Sequence, residues 1–210
     1  PSPCARHSAA GARARTVLVT LGGRFAGAAR RGRAAGVAGV VIHCAHGYLL
    51  NLFVSPPTNK RTDGYGGDVL GRIRLHREVI AAVRRSVGEE FPILLRLGAC
   101  DYMEDGTSIE DSTSAAVEFE RAGVDILDIT GGPSGYIRPG HDEPGYFAEL
   151  SEAIKGAVSI PVILTGGVTE PQHAEKLLAE GKADLIRVGR AILKDSEWTV
   201  KAVRELGRPG

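Results

Sequence analysis

Residues 37–48 read VAGVVIHCAHGY, an apolar run that leads directly into two histidines and a tyrosine. The run from Val37 to Ile42 is rich in β-branched residues without clean alternation, which is typical of a strand buried on both faces of a parallel sheet. In parallel α/β sheets and barrels, the carboxyl ends of the strands carry the chemistry. The segment therefore predicts a buried strand whose end presents His43, His46 and Tyr48. For either histidine alone, a loop residue with satisfied hydrogen bonds is the simpler interpretation.

A helix, a glycine and an apolar strand follow one another repeatedly along the chain. Gly36, Gly123 and Gly181 each come after a helix-like stretch and before an apolar run, as expected where glycine ends a helix in the left-handed conformation. The predicted strands lie near residues 37–43, 92–97, 124–130, 160–165 and 184–189. The predicted helices lie near residues 24–35, 68–87, 108–122, 146–156, 170–180 and 196–206. This alternation predicts an α/β fold with five parallel strands.

Length and composition limit the class of protein. The chain has 210 residues, of which 43% are hydrophobic, enough for one sizeable core. No run of about 18 apolar residues occurs, so we expect no transmembrane helix and no membrane partner. The cysteines, Cys4, Cys44 and Cys100, are odd in number and widely spaced. This spacing argues against a disulfide scaffold or a metal cluster and favours a reducing, cytoplasmic compartment.

The beginning of the chain differs in charge from the rest. Residues 1–62 contain nine of the 26 Lys and Arg residues and none of the 25 acidic residues. Three interpretations are open for the segment 1–24: a transit-type leader, a nucleic-acid-binding arm, or sequence read across a truncation or a wrong frame. Aromatic residues that could stack on bases are nearly absent there, so we expect no nucleic-acid partner. We rank truncation first, and expect 1–24 to be disordered or non-native and 25–210 to form the domain.

Four segments, in this order, resemble the old yellow enzyme family of flavin-dependent ene reductases. They are His43–Leu49, Thr58–Gly67, Leu164–Val168 and Val188–Arg190. The family fold is a TIM (β/α)8 barrel, and the resemblance runs from about Phe25 to Leu206 over its fourth to eighth βα units. A closed barrel needs eight strands and typically ~250 residues, so we expect an incomplete barrel of about five βα units. Its open edges would favour a homo-oligomer or poor solubility.

The resemblance implies roles for the residues at the first strand end. His43 and His46 match two polar residues that hydrogen-bond the carbonyl oxygen of an α,β-unsaturated substrate. Imidazole donates a hydrogen bond near neutral pH, and more strongly as the cation, and so stabilises enolate-like charge. Tyr48 matches the tyrosine that protonates the substrate α-carbon, although simple packing is an equal alternative. The implied activity is reduction of an activated C=C bond by hydride that FMN receives from NADH or NADPH.

Five residues match positions that hold the flavin in this family: Arg96, Gly166, Gly167, Gly189 and Arg190. The resemblance places Arg96 against the N1–C2=O edge of the flavin; the alternative is a salt bridge to Asp128 or Asp101. Glycines at two adjacent strand ends let backbone N–H groups approach a phosphate, which indicates phosphate binding in general rather than FMN in particular. Arg187 adds a positive charge nearby that could hold a phosphate or disturb the strand.

Three loops supply further polar candidates. Asn59, Arg61 and Asp63 are expected to hold together the long loop that follows the first strand. Two other long loops, before residue 107 and after residue 131, are expected to shape a substrate pocket. Candidate substrate contacts there are Tyr136, Arg138 and His141.

Two other functions fit part of this pattern. One is a catalytically dead half-barrel or scaffold that lacks bound flavin. The other is a phosphate-handling barrel enzyme, such as an aldolase or isomerase. A Schiff-base aldolase needs a lysine on an inner strand, and no predicted strand has one in its middle. The favoured interpretation remains the one that the family resemblance implies, an NAD(P)H:flavin oxidoreductase that acts on a small unsaturated carbonyl compound.

Overall fold

The computed structural model describes residues 15–133, 135, 137–138 and 140–207. The strands of this part of the chain are β1 Val40–Cys44, β2 Ile93–Gly98, β3 Ile126–Thr130, β4 Val162–Thr165 and β5 Leu185–Arg187. Its helices are α1 Arg15–Ala34, α2 Leu49–Val54, α3 Val69–Arg72, α4 Arg74–Val87, α5 Ile109–Arg121, α6 Ala148–Lys155, α7 Pro171–Ala179, α8 Arg190–Lys194 and α9 Trp198–Glu205.

The strands form one parallel sheet in the order β1-β2-β3-β4-β5. This confirms the predicted α/β fold with five parallel strands. Within the described residues β1 and β5 are the edges, so the sheet is not closed into a barrel there. The register places His43 beside Arg96, and Arg96 beside Asp128. His43, Arg96 and Asp128 therefore form a polar row across three adjacent strands, at the same height in the sheet.

The centre of the sheet is fully buried on one of its two faces. Leu95 and Leu97 on β2, Leu127 and Ile129 on β3 and Leu164 on β4 are all fully buried. Burial of each such side chain contributes about 1.5–3 kcal/mol relative to its exposure to water. These side chains pair in register on that face and share a core cluster with helix residues such as Phe119. The other face carries Leu94, Arg96 and Ile163, which are only partly buried, so the prediction of strands buried on both faces is wrong. No described helix is long and apolar enough to cross a membrane.

The first helix is longer than the sequence predicted. It begins at Arg15 instead of near residue 24, and it packs against α4. Leu18 and Leu21 on its inner face are buried, and this contact extends the helix into the basic segment. Residues 1–14 lie outside the described part of the chain. The interpretation of segment 1–24 as non-native stays a prediction, but its residues 15–24 are helical.

The chain between β1 and β2 also departs from prediction. The single helix expected over 68–87 is two helices, α3 and α4, separated at Ile73. The short helix α2 was not predicted, because six residues are too few to show a helical period. The guanidinium of Arg72, at the end of α3, is buried and donates to the Val54 carbonyl at 2.7 Å and to the Gly67 carbonyl at 2.9 Å. These bonds tie α3 to α2 and interrupt the longer helix.

The predicted polar connections within the loop after α2 are confirmed. Asn59 donates from Nδ2 to the Phe53 and Tyr65 carbonyls, at 2.7 Å each. Its Oδ1 accepts the Arg61 N–H at 3.2 Å. The Arg61 guanidinium in turn binds Asp63 through two bonds of 2.8 and 2.5 Å. One buried amide therefore closes the loop, and the arginine–carboxylate pair supports it from the surface.

Candidate active site

The structure brings together the three predicted catalytic residues at the carboxyl end of β1. The ring centroids of His43 and His46 are 5.2 Å apart, and those of His43 and Tyr48 are also 5.2 Å apart, both edge-to-face. The chain reverses here through His46 and Gly47, whose φ angles are +60° and +72°. The Gly47 N–H donates to Asn51 Oδ1 at 2.8 Å, which fixes this turn to α2. Tyr48 is 65% exposed, so its phenol can reach a ligand.

His46 occupies a backbone conformation that is uncommon for a residue with a side chain. Such strain costs of order 1–3 kcal/mol and is kept only where the surroundings hold it. Here the hydroxyl oxygen of Thr130, at the end of β3, lies 3.2 Å from His46 Nε2. Sequence reasoning did not select Thr130. A polar residue at the end of a buried strand is the signal that could have found it.

The surroundings of both histidines favour the neutral imidazole. Burial lowers the pKa of His43, and the nearby Arg96 guanidinium lowers it further. Burial, followed by the charge of Arg96, lowers the pKa of His46 to about 4. A neutral imidazole carries one N–H donor and one acceptor. The pair can therefore donate hydrogen bonds to an oxygen, and burial disfavours the imidazolium form that the sequence also allowed.

A fully buried carboxylate, Asp128, joins the strands behind these rings. Its Oδ2 accepts from the Arg187 guanidinium of β5, and its Oδ1 accepts from the Thr165 hydroxyl at 2.6 Å. Arg96 approaches the same Oδ2 only to 3.7 Å through Nε, an atom that is buried without a hydrogen-bond partner among the described residues. The salt bridge considered for Arg96 therefore exists but is weak. Arg187, for which two other roles were considered, is an ion-pair partner of Asp128.

An aromatic ring explains the two glycines that follow β4. Gly166 and Gly167 have φ angles of +152° and +66°. A Cβ at Gly167 would lie 2.6 Å from Cε1 of Tyr146, and one at Gly166 would lie 3.0 Å from Cε2 of the same ring. The Tyr146 hydroxyl accepts from Arg190 Nη2 at 3.0 Å. Three of the predicted phosphate-binding residues thus surround Tyr146, which sequence reasoning had assigned only to a helix start.

Residues 20–208 match the NADH:flavin oxidoreductase / NADH oxidase family. The chain belongs to this family. It is 41% identical over 184 residues to an NADH oxidase of Thermoanaerobacter brockii, an alignment that covers 85% of this chain and 28% of that protein. It is 37% identical over 185 residues to an NADPH dehydrogenase of Geobacillus thermodenitrificans, with 87% of this chain and 53% of the relative covered.

A solved structure confirms the resemblance to old yellow enzymes. The old yellow enzyme homologue from Zymomonas mobilis superimposes with a TM-score of 0.76 at 28% identity, covering 94% of this chain and 54% of that chain. The chain thus spans about half the length of this homologue and of the NADPH dehydrogenase, and less than a third of the NADH oxidase. The fold predicted from the four motifs is that of part of a TIM-barrel member of this family.

The remaining candidates are Gly189, expected to hold the flavin, and three loop residues expected to contact the substrate, Tyr136, Arg138 and His141. Gly189 precedes α8, and a Cβ built there meets nothing within 4 Å, so its backbone is approachable. Arg138 pairs with Glu149 at 3.0 Å and donates to the Tyr146 carbonyl, also at 3.0 Å. His141 pairs with Glu143 at 2.7 Å on the surface. Tyr136 lies outside the described residues.

Proposed function

We propose that this chain forms the substrate-binding part of an FMN-dependent oxidoreductase. The reaction is reduction of the activated C=C bond of α,β-unsaturated carbonyl compounds, with NADH or NADPH as the hydride source. The observation that carries the proposal is the cluster of His43, His46 and Tyr48 rings at one strand end, with Arg96 beside them in register. Membership in a family of NADH- and flavin-dependent oxidoreductases supports it.

The two imidazoles suit a carbonyl oxygen as their ligand. Their lowered pKa values keep both neutral, so each can direct one N–H at the same oxygen. As hydride reaches the β-carbon, negative charge develops on that oxygen. Fixed donors aimed at developing charge stabilise the transition state more than the ground state. The Thr130 hydroxyl beside His46 orients that ring for this task.

Tyr48 suits the role of proton donor to the α-carbon. Its ring packs edge-on against His43, and its exposed position leaves the hydroxyl accessible. A phenol keeps its proton at neutral pH and releases it only as a strongly basic carbon develops. The proton therefore arrives together with the charge that it neutralises.

The described residues fit a flavin in two places. The buried Nε of Arg96 has no hydrogen-bond partner among them and would donate to the N1–C2=O edge of the ring. The open backbone at Gly189, next to the Arg190 guanidinium, would hold the phosphate. When bound, FMN supplies the hydride that NADH or NADPH has delivered to it.

A catalytically dead half-barrel or scaffold is the second candidate. The observation in its favour is Tyr146, whose ring fills the space above Gly166 and Gly167 and whose hydroxyl accepts from Arg190. The glycines and the arginine thus have a structural use that needs no phosphate. For the flavin to bind as proposed, the Arg190 guanidinium must either leave the Tyr146 hydroxyl for the phosphate or donate to both.

Reconstitution with FMN separates these two functions. The full chain is titrated with FMN by quenching of flavin fluorescence, and NADPH oxidation is then followed with and without 2-cyclohexenone. We expect FMN binding and alkene-dependent oxidation that His43→Ala reduces. The exposed α7 residue His173 provides the matched control, since His173→Ala should leave both unchanged. Absence of FMN binding would favour the scaffold, and equal oxidation rates with and without the alkene would exclude ene reduction.

A further inference from the structure

The carboxylate of Asp128 lies near two arginines, Arg96 on β2 and Arg187 on β5, and the arginine that it binds determines how much of the Arg96 charge is neutralised. Register places Asp128 next to Arg96 on the neighbouring strand, whereas Arg187 lies on β5, two strands beyond β3. Two strand spacings amount to roughly 10 Å, a distance that a long arginine side chain can bridge. The carboxylate nevertheless forms its hydrogen bond with the more distant Arg187 and stays 3.7 Å from Arg96 Nε.

Both oxygens of this carboxylate are engaged from the β5 side of the sheet. Thr165, which pairs in register with Arg187, donates to Oδ1, and Arg187 itself donates to Oδ2. These two contacts turn the carboxylate away from β2. Arg96 is left mostly buried, with an Nε that has no hydrogen-bond partner in the described part of the chain, and such an arrangement is costly unless a ligand completes it.

We propose that Arg187 is a positioning residue that holds Asp128 away from Arg96, so that Arg96 keeps its charge unshared for an electron-rich ligand edge at the strand end. The inference deepens the proposed function, since the ligand edge there is the N1–C2=O edge of FMN. Without Arg187, the free Oδ2 of Asp128 would turn to its register neighbour Arg96. That pair would satisfy the guanidinium internally and weaken its interaction with the flavin.

His43 reports on this arrangement because it lies beside Arg96 in the polar row. The charged or titratable groups that act on it are Arg96 from β2, Asp128 from β3, Arg187 from β5 and His46 and Tyr48 from its own loop. Arg96 and Arg187 lower the pKa of His43, and Asp128 raises it. If Asp128 moved onto Arg96, the positive charge felt by His43 would decrease and its pKa would rise.

A double-mutant cycle on Arg187 and Asp128 tests the inference. The variants of the full chain are Arg187→Met, Asp128→Asn, the double substitution, and Arg187→Lys as the charge-conserving rescue. FMN affinity is measured by fluorescence quenching, and the pKa of His43 by NMR titration of the chain without FMN, with His43→Gln to assign the signal. A residue that acts through Asp128 should lose its effect when Asp128 is already neutral.

We expect Arg187→Met to weaken FMN binding by about tenfold and to raise the pKa of His43. In the Asp128→Asn background the same substitution should leave FMN affinity unchanged and should raise the pKa of His43 by less, because only the direct effect of the lost Arg187 charge remains. Arg187→Lys should restore both quantities. Equal effects of Arg187→Met in both backgrounds would overturn the proposal, because Arg187 would then act directly. If the double variant did not fold, the structure of Arg187→Met would decide: a hydrogen bond between Asp128 and Arg96 would support the proposal, and an Asp128 carboxylate that had not moved would overturn it. The titration without FMN decides the inference even if FMN binding, and with it the proposed function, fails.

Discussion

Replacement of Gly167 by alanine tests whether the glycines after β4 serve packing. Gly167 has a φ angle of +66°, a conformation that costs an alanine about 1–2 kcal/mol. An added Cβ would lie 2.6 Å from Tyr146 Cε1 and 3.0 Å from the Glu143 carbonyl oxygen, and overpacking of this kind costs about 1–3 kcal/mol. We therefore expect Gly167→Ala to reduce the free energy of unfolding by about 2–5 kcal/mol.

The matched control is Gly189→Ala. Gly189 has a φ angle of −124°, and its added Cβ would meet nothing within 4 Å. The free energy of unfolding should therefore change by no more than about 0.5 kcal/mol. If the Gly189 backbone approaches a phosphate, FMN affinity should fall in this variant while stability is retained. The two substitutions thus separate packing glycines from a ligand-binding glycine.

Urea unfolding of the full chain, followed by tryptophan fluorescence, measures both effects. Trp198 is the single tryptophan, and its indole N–H donates to the Thr169 carbonyl at 2.6 Å, two residues after Gly167. The probe therefore lies close to the perturbation. A loss below about 1 kcal/mol for Gly167→Ala, or equal losses for the two variants, would refute the packing explanation.

Four further outcomes are expected. Arg190→Ala should weaken FMN binding about tenfold to a hundredfold through loss of a charge-assisted contact. Tyr146→Phe, which keeps the guanidinium, should not weaken FMN binding. Equal affinities of Arg190→Ala and the unmodified chain in a fluorescence titration would contradict this. Tyr48→Phe should slow the alkene-dependent step in stopped-flow traces and leave the NADPH-dependent step unchanged, so equal slowing of both would exclude a proton-donor role. Burial lowers the pKa of His76 to about 4, whereas the unfolded chain binds a proton there from about pH 6.5 downward. The free energy of unfolding should therefore fall as the pH is lowered from about 6.5 to 4. In His76→Asn it should fall less steeply. The exposed β1 edge residue Val41 should promote self-association, so Val41→Lys should shift the sedimentation profile toward monomer, and a monomeric profile before substitution would contradict the expected oligomer.

The five strands were predictable because their signals are local. Each predicted strand is a short apolar run next to a glycine, and such runs leave few other ways to bury their side chains. The start of α1 was not predictable for the opposite reason. Residues 16–21 read TVLVTL, a β-branched stretch whose local propensity favours a strand over a helix. Contact of Leu18 and Leu21 with the rest of the core decides for a helix, and tertiary packing of this kind overrides propensity.

The candidate site divides in the same way. His43, His46 and Tyr48 lie within six residues of each other, so one strand end was enough to place them together. The partners of Asp128 depend on strand register and on how far a side chain reaches, and neither can be read from one sequence. The same applies to Tyr146, which meets Gly167 only because the loop before α6 folds back on the end of β4.

The polar row lies within the described part of the barrel. His43, Arg96 and Asp128 occupy three adjacent strands, and the residues that engage Asp128 come from the next two. The residues of this electrostatic arrangement therefore all lie on the five described strands. If this chain binds flavin more weakly than a relative with a closed barrel, while His43 and its counterpart have the same pKa, then closure of the sheet matters for binding the ring. If the pKa of His43 differs between the two proteins, then the polar row itself needs the closed sheet.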